Sequence, residues 1–181
     1  WLVIHLIVTA AKKIQPSCFQ QITFLKIIIL IGIIQFKKQS MMKNILVLCT
    51  GNSCRSQMAH GYLNHFTDSQ KVNVYSAGIE THGLNPGAVS IMKEDGIDIA
   101  THTSNNVVEY FDVDFDYIFT VCDHANENCP YIPSNNAKQL HHNFFDPSKL
   151  KGSKEEKHIA FLKARNEIKE YFKYFVSENL F

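Results

Sequence analysis

The spacing of apolar positions along the chain switches repeatedly between the period of a strand and that of a helix. Residues 45–48 form an unbroken apolar run of the kind a strand covered on both faces needs. In residues 56–66 the apolar positions Met58, Ala59, Tyr62, Leu63 and Phe66 lie on one side of a helix. Residues 72–77 read as a second strand, closed by Gly78. Asn85-Pro86 then supplies an N-cap and a proline at the first helical position, Ala88, Val89 and Met92 turn inward, and Gly96 stops the helix. Thr103 and Ser104 are placed to cap a short helix ending at Tyr110. Residues 117–121 repeat the continuous β-prone run of a central strand, and residues 138–141 make a short fourth one. Over residues 155–177 the stripe Phe161, Ala164, Ile168, Phe172 and Phe175 returns to helical spacing, as a core face does. This alternation predicts an α/β fold, a four-stranded parallel sheet with helices on both faces and its ligand site at the carboxyl ends of the strands.

The first strand runs directly into Cys49-Thr50-Gly51-Asn52-Ser53-Cys54-Arg55-Ser56. The residues between Cys49 and Arg55 are enough to curl the backbone so that the amides of Thr50, Gly51, Asn52, Ser53 and Cys54 point inward. Such a nest, continuing into the first turn of a helix, holds an anion. Gly51 and Asn52 tolerate the positive φ that the curl needs. The helix N-terminus and the Arg55 guanidinium both favour negative charge on the Cys49 sulfur, the candidate nucleophile, and Ser56 can donate a hydrogen bond to the same atom. Arg55 offers a planar fork to two oxygens of a tetrahedral oxyanion, each charge-assisted bond contributing roughly 1.5 to 3 kcal/mol.

Cys122 follows the third strand, and if that strand neighbours the first, their ends bring it near the anion loop. A polar, weakly structured stretch separates it from Cys129-Pro130. Cys122 can there attack a sulfur-linked product on Cys49, and Cys129 can resolve the resulting disulfide by exchange. The plain alternative is two buried cysteines that only pack. Asp146-Pro147, in a loop with Phe144 and Phe145, is the candidate general acid, because aromatic neighbours would desolvate its carboxyl; the same dipeptide is also a common turn. His141 and His142 read as rim residues.

The first forty residues have a different character, with five lysines, no acids and an apolar core over residues 27–34. Lys26 interrupts the wider apolar stretch, which is shorter than the ~18 to 20 residues that span a bilayer, and no small-x-small cleavage site follows. With Trp1 at the start and Met41-Met42 just before the first strand, residues 1–40 are expected to be a non-native upstream extension, a membrane-associated segment being the alternative. Residues 41–181 are expected to be a single catalytic domain. Without those five lysines, 13 basic residues face 17 acidic ones, and a net charge of about −4 excludes nucleic-acid binding by charge. Cys18 lies in the first segment, which leaves Cys49, Cys54, Cys122 and Cys129. An even number suits a secreted disulfide framework, but a thiolate in an anion loop works only when kept reduced, which points to the cytoplasm. Of the C-x4-C and C-x6-C spacings the second is wider than tight zinc sites use, and no histidine lies at ligand spacing beside both pairs, so no metal is assigned.

The run from Cys49 to Ala59, with Val74-Tyr75-Ser76-Ala77-Gly78-Ile79-Glu80-Thr81-His82-Gly83-Leu84-Asn85-Pro86, closely resembles the thioredoxin-coupled arsenate reductases, which are built on the low-molecular-weight protein tyrosine phosphatase fold. The likeness extends from about Met42 to the final helix and takes in Cys122, Cys129 and Asp146-Pro147. It implies that Cys49 attacks arsenate held by Arg55, that Asp146 protonates the leaving hydroxide, and that Cys122 attacks the arseno-adduct to release arsenite. Cys129 would complete a disulfide that thioredoxin reduces, with no bound cofactor and no redox role for Cys54. Arsenic detoxification by a cytoplasmic monomer, with phosphate as the competing anion, is the implied role. Some relatives hold potassium beside the loop through an asparagine, a glutamate, a serine and an aspartate. The matching Asn52, His60, Ser76 and Asn105 lack both carboxylates, which argues against a potassium site here. Two other readings remain. A tyrosine phosphatase would use Cys49, Arg55 and Asp146 without needing Cys122 or Cys129, and such enzymes tend to carry aromatic residues after the Asp-Pro, where this chain has Ser148-Lys149. A non-enzymatic oxyanion or metalloid sensor would bind without consuming thioredoxin or NADPH.

Overall fold

A computed structural model describes residues 26–27, 42–128, 132–134 and 136–180. The chain divides into two units, Trp1–Met41 and Met42–Phe181. Of the first, only Lys26 and Ile27 are described, both helical and exposed. The other expectations for residues 1–40, and those for Cys129, lie outside the described residues.

The second unit is organised on a sheet of β1 (Lys43–Cys49), β2 (Val72–Gly78), β3 (Tyr117–Thr120) and β4 (Lys138–His141), all parallel, in the order β2-β1-β3-β4. The unbroken apolar run makes β1 a central strand, with Ile45, Leu46, Val47 and Leu48 all buried. Its helical connections are α1 (Arg55–Phe66), α2 (Pro86–Glu94), α3 (Asp123–Asn128) and α4 (Lys154–Asn179). Ile45 and Val47 face a core shared with Met58 and Tyr62 of α1, Ile91 and Met92 of α2, and Ile168 and Phe172 of α4. Phe119 of β3 meets Phe172 and Phe175 at ring-centroid distances of 5.0 and 4.7 Å, steeply inclined, an arrangement that contributes roughly 0.5 to 1.5 kcal/mol per pair beyond burial. Leu46 and Leu48 point to the other face, onto Ala77, Phe115, Ile118, Ile132 and Val107, the last from a 3-10 turn at Val107–Tyr110.

Register fixes where the chemistry emerges. Cys49 pairs with Gly78, and Leu48 with Thr120, so Cys49 and the residues just past β3 leave the sheet side by side at its carboxyl edge. The predicted cap of α2 is present, Asn85 accepting from the amides of Gly87 and Ala88. A Ser153–Glu156 capping box starts α4.

Two local expectations change. Asn106, in a capping box with Glu109, caps the 3-10 turn in place of Thr103 or Ser104. The stretch after Cys122, expected to be irregular, is the short helix α3; Asp123 in its first turn complements the helix dipole, and Ala125 is buried in the main core. No helix among the described residues is long and apolar enough to cross a membrane.

Candidate active site

The loop after β1 is held from outside by its carbonyls. Glu80, His82 and Asn85 donate their amides to the carbonyl oxygens of Thr50, Gly51 and Ser53 at 2.9, 3.0 and 2.9 Å, and Gln57 Nε2 donates to that of Asn52 at 3.0 Å. Each peptide unit is trans and planar, so a carbonyl turned outward turns the next amide inward. The amides of Gly51, Asn52, Ser53 and Cys54 therefore face the hollow of the loop, and that of Asn52 donates to Cys49 Sγ at 3.1 Å. A ring of amides at the start of α1 binds an anion without spending a side chain.

Asn52 alone takes the positive φ, at 44°, and is fully buried. Gly51 serves a different end, since a Cβ there would push against the His82 ring and displace it. At Gly78 a Cβ would strike the loop backbone itself, 2.7 Å from both Asn52 N and Thr50 O. Both glycines let other chain segments close on the loop.

Around the sulfur, Ser56 Oγ lies 2.9 Å from Cys49 Sγ and accepts from Asn52 Nδ2 at 3.0 Å, which leaves its hydroxyl hydrogen for the sulfur. With the Asn52 amide, two donors converge on Cys49. Such donors solvate a thiolate in a buried position. Cys54, in the same loop, behaves oppositely: burial first, then the nearby Asp146 carboxylate, push its thiol up to about 12, so it stays protonated and unreactive.

Arg55 reaches the loop that carries the predicted acid. Its Nη2 donates to Asp146 Oδ2 at 2.8 Å and its Nη1 to the Phe144 carbonyl at 3.0 Å. Asp146 Oδ1 accepts from the amide and hydroxyl of Ser148 at 3.1 and 2.6 Å. The expected aromatic shielding is half present: Phe144 is buried, whereas Phe145 is 50% exposed and leaves the carboxyl oriented by hydrogen bonds.

Cys122 stands beside the same loop. Its Sγ is 3.4 Å from Thr50 Oγ1, and the residue is 3% exposed. Asp123 holds the start of α3 by accepting from Asn143 Nδ2 and pairing with His141 Nε2, which makes His141 a staple of the Cys122 segment. Cys49, Cys54 and Cys122 are free thiols.

Gln57, His102 and Asn105 complete the support, of which the sequence singles out Asn105 alone, and only as the counterpart of a potassium ligand. Gln57 Nε2 spans to the Thr103 carbonyl, 46 residues away, and to Asn52 Oδ1, while its Oε1 meets His102 Nδ1 at 3.0 Å. The amide of Asn105 donates to Asn52 Oδ1. The one hint in the sequence is a polar residue between Ser56 and Met58 on a buried first turn.

The four positions matching a potassium site do not fit one. Asn52 Oδ1 already accepts two N–H groups, Ser76 Oγ engages His60 Nδ1 at 3.0 Å, and Asn105 Oδ1 accepts from Thr103 Oγ1. Among the described residues no group of three or more His, Cys, Asp or Glu side chains is placed to hold a metal ion.

A cysteine at the floor of an amide-lined loop, an arginine at its rim and an aspartate across from it, on a parallel sheet, define the class of cysteine-based phosphatase folds. The profile of the low molecular weight phosphotyrosine protein phosphatases matches residues 44–178, and the chain belongs to that family. Within it, the chain is 47% identical over 133 residues to an arsenate reductase of Halalkalibacterium halodurans, a match covering 74% of this chain and 94% of that protein. Among solved structures, an arsenate reductase in its oxidized state superposes with a TM-score of 0.64 at 26% identity, covering 76% of this chain and 98% of that one. An arsenate reductase in a phosphate-binding state gives 0.56 at 25% identity over 76% and 98% of the two chains.

Proposed function

We propose that this protein reduces arsenate to arsenite by a three-cysteine relay and returns to its starting state through thioredoxin. The observation that carries the reading is the contact between Thr50 Oγ1 and Cys122 Sγ, which puts a second thiol at the wall of the loop whose floor is Cys49. A phosphatase has no use for that thiol. The names of the relatives supply the oxyanion, and the resemblance to their family implies the order of events.

Arsenate enters the loop, its oxygens taken by the inward amides and by the Arg55 fork. It thereby competes with Asp146 for the guanidinium and leaves that carboxyl facing the outer oxygen. Cys49 Sγ attacks arsenic, and the departing oxygen takes a proton from Asp146. Cys122 then attacks Cys49 Sγ: a sulfur–sulfur bond forms, the sulfur–arsenic bond breaks, and its electron pair stays with arsenic, which leaves as arsenite. Cys129 attacks Cys122 Sγ, releasing the Cys49 thiolate and leaving a Cys122–Cys129 disulfide for the thioredoxin dithiol to reduce. The relay requires a reducing compartment, so the cytoplasm is its place.

The test is a coupled assay of arsenate, thioredoxin, thioredoxin reductase and NADPH on wild type, Cys122→Ser and Cys129→Ser. Both variants lose arsenate turnover while an aryl phosphate is still hydrolysed slowly through Cys49. Equal loss of both activities in Cys122→Ser, or no arsenate-dependent NADPH oxidation by the wild type, overturns the reading.

A further inference from the structure

His60 and His102 form a half-buried imidazole pair beneath the anion loop, and neither belongs to the chemistry just described. His60 of α1 holds Ser76 Oγ of β2 at 3.0 Å, and its ring lies against that of His102 at a centroid distance of 4.5 Å and an interplanar angle of 32°. His102 Nδ1 meets Gln57 Oε1. The orientation of the Gln57 amide is fixed, because its nitrogen faces three oxygens, Asn52 O, Asn52 Oδ1 and Thr103 O. The atom offered to His102 is therefore an acceptor, and His102 must carry its hydrogen on Nδ1.

The same Gln57 orientation makes His102 the first donor of a chain that runs one way. His102 Nδ1–H donates to Gln57, Gln57 Nε2 to Asn52 Oδ1, Asn52 Nδ2 to Ser56 Oγ, and Ser56 to Cys49 Sγ. Every donor points toward the sulfur. Burial and the adjacent His102 ring hold His60 down to about 4, and burial lowers His102 against the opposing pull of Asp98, so both rings are neutral near pH 7. Neutral rings can stack where two cations could not.

We propose that the His60–His102 pair is a metal-free brace of the anion loop: His60 is a positioning residue whose ring holds that of His102 turned to Gln57, which fixes the Nδ1–H tautomer, and the pair does the work a monovalent cation would do at these positions. The proposal rests on Cys49 being the nucleophile of the arsenate chemistry above. It is tested on properties that do not need arsenate.

In wild-type protein carrying 15N-labelled histidine at pH 7, His102 gives the neutral Nδ1–H signature and His60 a neutral ring. Hydrolysis of an aryl phosphate is the same within about twofold in potassium chloride and in choline chloride at equal ionic strength. His60→Gln, whose amide can still bond Ser76, keeps kcat within about threefold, whereas His60→Ala lowers kcat about tenfold with little change in KM and gives His102 mixed tautomers. The double variant His60→Glu with Asn105→Asp restores two carboxylates and acquires a potassium response. An imidazolium His102 in the wild type at pH 7, or a several-fold stimulation of the wild type by potassium, overturns the proposal. So does a His60→Ala protein that melts earlier but keeps both the tautomer and kcat, which would reduce His60 to packing. Should His60→Ala not fold, the wild-type measurements and His60→Gln decide. A wild type that shows the tautomer and the potassium indifference yet never reduces arsenate would remove the relay and leave the brace standing.

Discussion

The two thiol-bearing segments that meet at the carboxyl edge of the sheet are built in opposite ways. The loop around Cys49 is fastened from three sides: by the backbone of residues 80–85, by Gln57 of its own helix, and by residues 104 and 105 through Ser104 and Asn105. The segment led by Cys122 is one short helix that buries Cys122 and Ala125, while its polar ties, to Thr50, His141 and Asn143, run through exposed or half-buried side chains. A helix of six residues has little stability of its own. The contrast matches the division of labour in the relay. Binding a tetrahedral anion needs donors fixed in place before it arrives, whereas passing a disulfide from Cys49 to Cys129 needs a sulfur that can travel.

The comparison is broken most severely at Asn52. Asn52→Ala takes the acceptor from the Asn105 amide and the Nδ2 donor from Ser56, leaves Gln57 Nε2 only the two backbone carbonyls, and puts alanine at a φ of 44°. A loss of roughly 3 to 5 kcal/mol in urea unfolding is expected, with phosphate binding abolished in calorimetry. A protein that keeps both within about 1 kcal/mol of wild type would show that the loop does not depend on its buried asparagine.

That asparagine also marks how far the sequence could be read. Cys49, Arg55 and the Asn/Gly character of the turn were legible because strand, loop and helix follow one another within a dozen residues, and local periodicity reports local structure. Cys122 could be placed because parallel register puts the ends of neighbouring strands together. The supports could not be read as supports: Asn105 stood out only as the counterpart of a cation ligand, Gln57 and His102 act across the chain from it, and a lone polar residue carries no periodic signal. Gly78 was visible only as the end of a strand, though its missing side chain is what lets the loop backbone pass. Nor did the polar composition after Cys122 betray α3, since it is burial of Ala125 and the staple to Asp123, both tertiary, that hold that turn in helical form.

Acid acts next on the same scaffold. The His60 ring is held well below its unfolded value of about 6.5, so between pH 6.5 and about 4 the unfolded chain binds a proton that the folded one refuses. Stability from this group is complete above pH 6.5 and falls as pH drops toward 4, by roughly 3 kcal/mol at the lower end, with His102 adding in the same direction. Urea midpoints measured at pH 7 and pH 4.5 in wild type and His60→Gln give the share of His60. The variant should lose visibly less on acidification, and identical slopes would move the acid sensitivity elsewhere.

The smallest effect on stability falls on the other segment and tests the contrast directly. Asp123→Ala removes the acceptor that His141 and Asn143 share, but these are exposed side chains, and such pairs contribute about 0 to 1 kcal/mol, so the melting temperature should hardly move. What changes is local. The amides of α3 open without the rest of the protein and should exchange hydrogen about tenfold faster in the variant, while those of the loop and β1 exchange only through larger openings and keep their wild-type rates. If α3 amides in the wild type proved as protected as those of β1, the Cys122 segment would be as rigid as its neighbour, and the disulfide could not be carried away from Cys49 without unfolding the sheet edge.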